Sequence, residues 1–268
     1  MRVFVLGHRG MLGHVVARFL AEKGHEIITS EQRFEGGARD LLVETVRDSG
    51  CEWVVNALGR TKQKSSDMAE LIRANAELPL HLIIRLRTGQ RLIHASTDCV
   101  FSGEEGNYAK SHERNAADDY GWSKILGETA VTGGGAVVIR TSIIGPEMNN
   151  GANGLLGWFL NQTGEVRGFT NHLWNGITTL EWAKIAAEVI EGGLKDHGGL
   201  IQAGAARTVS KYELLRLIAT CWERTGLIHE TEAGEAIDRT MVAELERPEI
   251  GEQLGELRAW YEGRGEGK

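Results

Sequence analysis

The first thirty residues restrict the fold more than any other stretch. Val3-Phe4-Val5-Leu6 is a four-residue apolar run, the pattern of a strand buried on both faces of a parallel sheet. It ends at Gly7, and Gly7-His8-Arg9-Gly10-Met11-Leu12-Gly13 spaces three glycines as GxxGxxG. Leu12, Val15, Val16, Phe19 and Leu20 then recur at helical spacing, Gly24 supplies a stop, and residues 25–30 read as a second strand. Strand, glycine turn, helix and strand in so short a span make a βαβ unit. Parallel strands need such crossovers, so an α/β protein with a Rossmann-type, doubly wound parallel sheet is expected, followed by a smaller C-terminal α/β region.

Glycines in a turn of this kind let the backbone approach a pyrophosphate, which rests on the free N–H groups of the helix start. The alternative is a tight turn that packs helix on sheet and holds no ligand. On the dinucleotide reading, Gly7, Arg9, Gly10, Met11, Leu12 and Gly13 contact the cofactor. The end of the second strand separates the two nicotinamide coenzymes, since an acid binds a ribose hydroxyl and an arginine a 2′-phosphate. Ser30-Glu31-Gln32-Arg33 is mixed. Two guanidiniums, Arg33 and Arg9, outweigh one carboxylate, which points to NADP(H) as preferred and NAD(H) as possible; a solvated loop charge is the other reading of Arg33. Residues 40–49 read as a polar helix. Residues 53–59 form a further strand ending in small residues, which places Asn56 and Ala57 where backbone passes the cofactor. Residues 68–86 read as a helix kinked at Pro79. Asn75, on that helix, either holds a water or backbone group behind the site or serves as a cap.

A second constellation follows. Leu92-Ile93-His94-Ala95 is another short apolar run, so Ser96 and Thr97 stand at a strand end. Asp118 suits an N-cap, and residues 120–129 read as a helix with Tyr120 and Lys124 one turn apart on one face. A strand-end hydroxyl facing a tyrosine–lysine pair is a proton-donating arrangement. A free phenol titrates near pH 10, and an ammonium beside it lowers that value. Thr97, Tyr120 and Lys124 are therefore the candidate catalytic set, with Ser96, Tyr120 and Lys124 also near the cofactor. The spacing alone would equally suit an amphipathic helix with Lys124 in solvent.

Residues 136–142 form another buried strand, and Gly145-Pro146 breaks the pattern. Residues 1–146 are expected to bind NAD(P), residues 147–268 mainly to bind substrate, and 176–203 to pack back on the first unit. Residues 149–153 read as a polar loop and 155–160 as an apolar segment. Residues 168–176, Gly-Phe-Thr-Asn-His-Leu-Trp-Asn-Gly, suit stacking on a base and hydrogen-bonding a sugar, or else a surface loop anchored by Trp174. Capping boxes at Thr178-Thr179-Leu180-Glu181 and Ser210-Lys211-Tyr212-Glu213 start two helices, with a short strand at 199–202 between them. Arg239 lies in a late loop, 251–261 form a last helix, and 262–268 read as a frayed tail.

Composition narrows the rest. A formal charge of −7 argues against a nucleic-acid or anionic-membrane surface. Cys51, Cys99 and Cys221 are far apart, and none of the nine histidines makes HExxH, so neither disulfides nor a metal site is expected. The chain opens on a strand pattern without a leader, and no apolar run nears the ~18 residues of a membrane span. A cytoplasmic protein with reduced thiols is expected.

These residues resemble an extended short-chain dehydrogenase/reductase, and more narrowly the dTDP-4-dehydrorhamnose reductase family of sugar-nucleotide 4-ketoreductases. The matching pieces are Gly7-x-x-Gly10-x-x-Gly13, Asn75-Ala76-Glu77-x-Pro79, Ser96-Thr97-Asp98-x-Val100-Phe101, Tyr120-Gly121-x-Ser123-Lys124 and Arg140-Thr141-Ser142. Segments 158–160, 171–179 and 210–219 are similar to a subgroup acting on UDP-linked 2-acetamido-4-keto-6-deoxyhexoses for surface polysaccharides. The resemblance implies NADPH-dependent reduction of a 4-keto group on a UDP-2-acetamido or dTDP sugar. It implies substrate contacts at Asp98, Cys99, Val100, Thr141, Asn171, Trp174 and Arg239. It also implies a nucleotide-sugar partner, neither nucleic acid nor membrane, and leaves a homodimer open. Cys99 departs from the pattern, replacing the usual tyrosine. GDP-fucose synthases carry a catalytic cysteine at a similar position, but their partner histidine follows Gly-Pro, where this chain has Glu147; His172 is the other candidate. Simple reduction therefore leads, with two alternatives: an epimerase–reductase using Cys99, and a non-catalytic NADP-binding regulatory subunit.

Overall fold

A computed structural model describes residues 1–63, 65–148, 153–194 and 199–263. Most of the expected loop at 149–153 and most of the expected tail lie outside the described residues. The strands, in chain order, are β1 (Arg2–Leu6), β2 (Glu26–Ile28), β3 (Trp53–Asn56), β4 (Arg91–Ser96), β5 (Val137–Arg140), β6 (Ile143–Ile144), β7 (Val166–Phe169), β8 (His172–Trp174), β9 (Ile177–Thr178), β10 (Leu200–Ala205), β11 (Val209–Ser210), β12 (Ile228–Thr231), β13 (Ile237–Asp238) and β14 (Leu245–Arg247). The helices are α1 (Gly13–Glu22), α2 (Leu41–Asp48), α3 (Met68–Ile72), α4 (Leu78–Arg85), α5 (Asp119–Thr132), α6 (Leu155–Leu160), α7 (Thr179–Ile190), α8 (Lys211–Cys221) and α9 (Ile250–Glu262).

A seven-stranded sheet runs β14-β10-β5-β4-β3-β1-β2, with every neighbouring pair parallel. Its strands are covered on both faces. Val3 and Val5 join Val15, Val16 and Leu20 of α1 and Ile185 and Ala186 of α7. Phe4 and Leu6 join Leu42, Val43 and Val46 of α2, Leu78 and Leu82 of α4 and Val131 of α5. That alternation is the period of two of an extended backbone, and burial on both sides explains why β1 is apolar throughout. From β1 the chain goes outward to β2 on one side, then crosses to β3 on the other. The order reverses there, which opens a crevice at the carboxyl ends of β1 and β3.

Segment 176–203 supplies α7, which packs on α1, and β10, which pairs with β5. Later chain returns as well. β14 pairs with β10, and the Trp260 indole N–H of α9 donates to Glu22 at 2.9 Å. Other short strands pair β8 with β11 and β13, β7 with β12, and β6 with β9, around a smaller core of Leu156, Phe159, Trp174, Leu214, Leu215, Ile218 and Leu254.

Two local expectations change. Residues 68–86 are two helices joined by a π-helical turn at Arg73–Glu77, and Pro79 falls in the first turn of α4, where no N–H is needed. The wide turn, rather than a proline kink, absorbs the interruption and buries Asn75 completely. Only Ser210 forms a full capping box. The Thr178 hydroxyl accepts from the Glu181 N–H at 3.2 Å, but the Glu181 carboxylate is taken by Arg247 and Lys184 at 2.6 and 3.1 Å. No helix among the described residues is long and apolar enough to cross a membrane.

Candidate active site

The glycine turn sits at the crevice. Gly7 has φ +80°, and a Cβ there would meet Ala57 backbone atoms at 3.0 Å, so the turn lies flat against the end of β3. A Cβ on Gly13 would stand 2.1 Å from the Gly7 carbonyl oxygen. α1 starts with no side-chain cap and no acid in its first turn. An uncapped helix start with close-lying backbone fits a pyrophosphate. Leu12 is 6% exposed and faces the core, so its side chain belongs to packing. Arg9 is ion-paired with Glu31, and Arg33 is exposed beyond β2. Asn56 turns inward: it donates to His94 Nδ1 at 3.2 Å and accepts from the Leu58 N–H at 3.2 Å. Its amide is committed to the fold, which leaves backbone at Asn56 and Ala57 to face the crevice.

The turn after β4 meets the start of α5 at the same sheet edge. Asp118 caps α5 by accepting from the Gly121 N–H at 2.9 Å, and it pairs with Lys62 at 3.0 Å. A Cβ on Gly121 would lie 2.2 Å from the Cys99 carbonyl oxygen, so a glycine allows α5 to press on this turn. The packing brings Tyr120 to Thr97, whose side chain lies within hydrogen-bonding reach of the phenol. The Thr97 hydroxyl donates to Asp98 at 2.9 Å and accepts from the Cys99 N–H at 3.2 Å. Burial raises the phenol's pKa above 10, and Cys99, Asp98 and Asp118 push the same way, while Thr97 opposes them. The lowering expected from Lys124 does not set the direction of the shift, which burial decides. The lysine is 5% exposed, and its ammonium donates to the Ala95 carbonyl at 2.7 Å. Burial brings the Lys124 pKa down to about 8, against a raising influence from Glu128.

Beneath Lys124 lies a charged network that local patterning does not reveal. Glu128, 2% exposed, receives Arg140 Nε and Nη2 at 2.8 and 2.6 Å, Arg114 at 3.1 Å and the Ser96 hydroxyl at 2.5 Å. Arg140 also donates to Gln202 at 3.0 Å. Ser96 thus commits its hydroxyl proton to Glu128. The available signal was a charged residue closing the apolar run of β5, with an acid one turn beyond Lys124. Asn75 pins the Arg60 backbone through both ends of its amide at 2.8 and 2.9 Å and donates to Ser123 at 2.9 Å. Its side chain is a clasp rather than a cap.

The expected substrate residues divide. Asp98, Cys99 and Arg239 surround the Thr97–Tyr120 pair, and Arg239 Nε donates to the Phe101 carbonyl at 3.1 Å. Burial, then Asp98, pushes the Cys99 thiol up to about 12. Trp174 is 5% exposed and carries the Lys211 ammonium 5.1 Å from its ring centre. Val100 is fully buried with Phe101, Tyr108 and Met241, so its side chain is core. Thr141, 1% exposed, donates to the Ser142 carbonyl at 3.2 Å. The Asn171 amide is used on both sides by the Ala233 backbone at 2.8 and 2.9 Å, which makes it a loop pin. His172 bonds the Glu235 carbonyl at 3.1 Å and packs on Phe169. Glu147, in the place following Gly-Pro, accepts from the N–H groups of Asn153 and Gly154 at 2.7 and 3.0 Å.

Residues 1–264 match the family model described as RmlD substrate binding domain. The chain is 31% identical over 149 residues to a dTDP-4-dehydrorhamnose reductase of Burkholderia thailandensis, a match covering 53% of this chain and 50% of that protein. It is 30% identical over 162 residues to the probable low-salt glycan biosynthesis reductase Agl14 of Haloferax volcanii, 54% of each. The chain spans about half the length of the curated relatives it matches. A crystal structure of dTDP-4-dehydrorhamnose reductase from Bacillus anthracis in complex with NADP superposes with a TM-score of 0.83 at 18% identity, covering 96% of this chain and 98% of that one. The ortholog from Clostridium acetobutylicum gives 0.81 at 19%, covering 98% and 100%. At these identities the structural likeness is one of fold.

Proposed function

The chain belongs to the RmlD substrate binding domain family, and from that membership we propose that it is a nicotinamide-dependent reductase of a nucleotide-linked 4-keto-6-deoxy sugar. The sugar is of the UDP-2-acetamido or dTDP type, and NADP(H) is preferred over NAD(H). The observation that carries this reading is the meeting of the Tyr120 phenol and the Thr97 side chain at the sheet edge beside the glycine crevice. Relatives named as reductases support it, as do fold neighbours described in complex with NADP or with NAD and UDP-glucose.

A nicotinamide coenzyme seated on the Gly7–Gly13 turn would supply the hydride. Tyr120, kept protonated by burial, gives its proton to the ketone oxygen as negative charge builds there. Thr97 adds a second hydrogen bond, drawing its proton from Asp98 toward the stronger acceptor. Lys124, anchored on the Ala95 carbonyl, is assigned the coenzyme ribose. Cys99 favours simple reduction over epimerisation. A thiol with a pKa near 12 is a poor base at neutral pH, and Glu147 is occupied as a helix-start acceptor.

The test is incubation with UDP- and dTDP-4-keto-6-deoxy sugars while nicotinamide absorbance is followed, first with NADPH and then with NADH. Consumption with at least one keto sugar is expected, faster with NADPH. Tight NADP binding with no turnover on any of them would instead mark a regulatory subunit.

A further inference from the structure

The last helix is laid across the first. Leu257 of α9 joins the core that holds Val15 and Val16 of α1. Its final turn is fixed from the side. The Trp260 indole N–H donates to Glu22 at 2.9 Å, and the Arg18 guanidinium stands 5.2 Å from the Trp260 ring centre and 6.0 Å from that of Tyr261. This packing carries the Tyr261 hydroxyl to His14 Nε2 at 2.5 Å, across 247 residues of chain. The other ring nitrogen, Nδ1, lies 2.7 Å from the Gly10 carbonyl oxygen in the glycine turn. A carbonyl can only accept, so the proton is on Nδ1. In the neutral ring Nε2 is then the acceptor, and the Tyr261 O–H donates to it. A hydrogen-bonded chain therefore runs from the C-terminal helix through one imidazole to the turn.

The atom at the end of this chain matters because of what shares its peptide. Gly10 C=O and Met11 N–H belong to one planar unit, and no peptide among the described residues is cis, so the two bonds point in opposite directions. The Gly10 oxygen also accepts from the His14 backbone N–H at 3.2 Å, while the Gly10 N–H donates to the Gly7 carbonyl at 2.7 Å. The oxygen is thus drawn toward the body of α1, and the Met11 N–H is turned out of the helix start, where a pyrophosphate rests. The turn has little of its own to hold that orientation. Gly10 carries no side chain, α1 has no side-chain cap, and the backbone bond is the longer of the two on this oxygen.

We propose that Tyr261, acting through His14, is a positioning residue for the coenzyme: it fixes the Gly10–Met11 peptide so that the Met11 N–H meets the pyrophosphate without reorganisation. This rests on the nicotinamide reading given above. A donor that is already aimed costs no ordering when its ligand arrives, so the chain of bonds raises coenzyme affinity. It also makes α9 part of the coenzyme site, although residues 147–268 are expected mainly to bind substrate. Local spacing puts His14 and Tyr261 on separate helices and says nothing of their meeting.

The test uses the full chain with NADPH and NADH as separate probes in calorimetric titrations, and thermal unfolding without ligand as the record of folding. The variants are Tyr261→Phe, which keeps the ring beside Arg18, His14→Leu, and His14→Gln, whose amide can donate to the Gly10 carbonyl and accept from the phenol. Tyr261→Phe should weaken NADPH by roughly threefold to tenfold, the loss of one hydrogen bond, and His14→Leu by at least as much. His14→Gln should recover most of the loss. NADH carries the same pyrophosphate and should weaken by the same factor. Unchanged NADPH affinity in Tyr261→Phe and His14→Leu, whatever their melting temperatures, would overturn the proposal while leaving the reductase reading in place, since the contact would then only pack α9 on α1. Tyr261→Phe alone decides if His14→Leu does not fold. A weakening confined to NADPH would overturn it too, because the effect would lie at the 2′-phosphate. So would a His14→Gln variant no better than His14→Leu. Failure of the wild type to bind either coenzyme would overturn the nicotinamide reading and this inference with it.

Discussion

Glu128→Gln removes one charge from the network under the site, and the structure sets the scale of the effect. Glu128 and Arg140 are each 2% exposed and joined by two short bonds, so neither can turn to water when the other is lost. Breaking a buried pair from one side costs about 3–5 kcal/mol, because the remaining charge stays desolvated. Against a typical total of ~5–15 kcal/mol that is a large share. For a chain of this length it lowers Tm by roughly 10 °C. The pH dependence follows from the direction of the titration shift. Burial alone would raise the Glu128 pKa, but Arg140, Ser96 and Arg114 together hold it below its ordinary 4.5. A carboxylate with a depressed folded pKa contributes stability above its unfolded pKa and loses it as pH falls through the folded value. Urea unfolding of wild type and variant should therefore differ fully at pH ~7 and converge on acidification through the carboxylate range. The double variant Glu128→Leu/Arg140→Met should cost less than the single change, since an apolar pair leaves no orphan charge. A loss below about 1 kcal/mol for Glu128→Gln, or a gap that stays constant into acid, would refute the argument, since an exposed pair behaves in that way.

The remaining predictions concern the site. Tyr120→Phe should retain NADPH binding and lose roughly 10²–10⁴-fold in turnover; near-wild-type reduction of a 4-keto sugar nucleotide would remove Tyr120 from the mechanism. Lys124→Met should abolish most turnover yet raise stability at neutral pH by up to about 3 kcal/mol, because the folded pKa near 8 lies below the ordinary 10.5. The penalty for the charged amine is full below pH about 8 and fades toward 10.5, so the stabilisation should vanish in strongly alkaline unfolding experiments. Cys99→Ala should keep turnover within about threefold, and Cys99 should react slowly with iodoacetamide at neutral pH, since a thiol near pKa 12 is almost wholly protonated. Rapid alkylation of Cys99 with loss of activity would revive a catalytic thiol.

The opening strand, glycine turn and helix were readable because apolar alternation and helical spacing are local properties. The same holds for β4 ending at Ser96 and for α5 starting after Asp118. The Arg73–Glu77 π turn was not readable, since the sequence around Pro79 is compatible with a kink and the wide turn depends on burying Asn75 between Arg60 and Ser123. Ser96 is expected near the cofactor from its place at a strand end, and Asn171 near the substrate from the family resemblance. The partners that hold their side chains, Glu128 and Ala233, come from other elements, which local sequence does not reveal.

By itself, then, the sequence determined which segments are buried strands, where their carboxyl ends lie, and that Tyr120 and Lys124 share a helix face. Those relations follow from backbone geometry, which a few adjacent residues specify. Only the tertiary structure decided that Lys124 turns to Ala95 and that Glu128 meets Arg140. A polar side chain chooses among partners by desolvation and distance, and both are set by residues far away in the chain that the fold brings near.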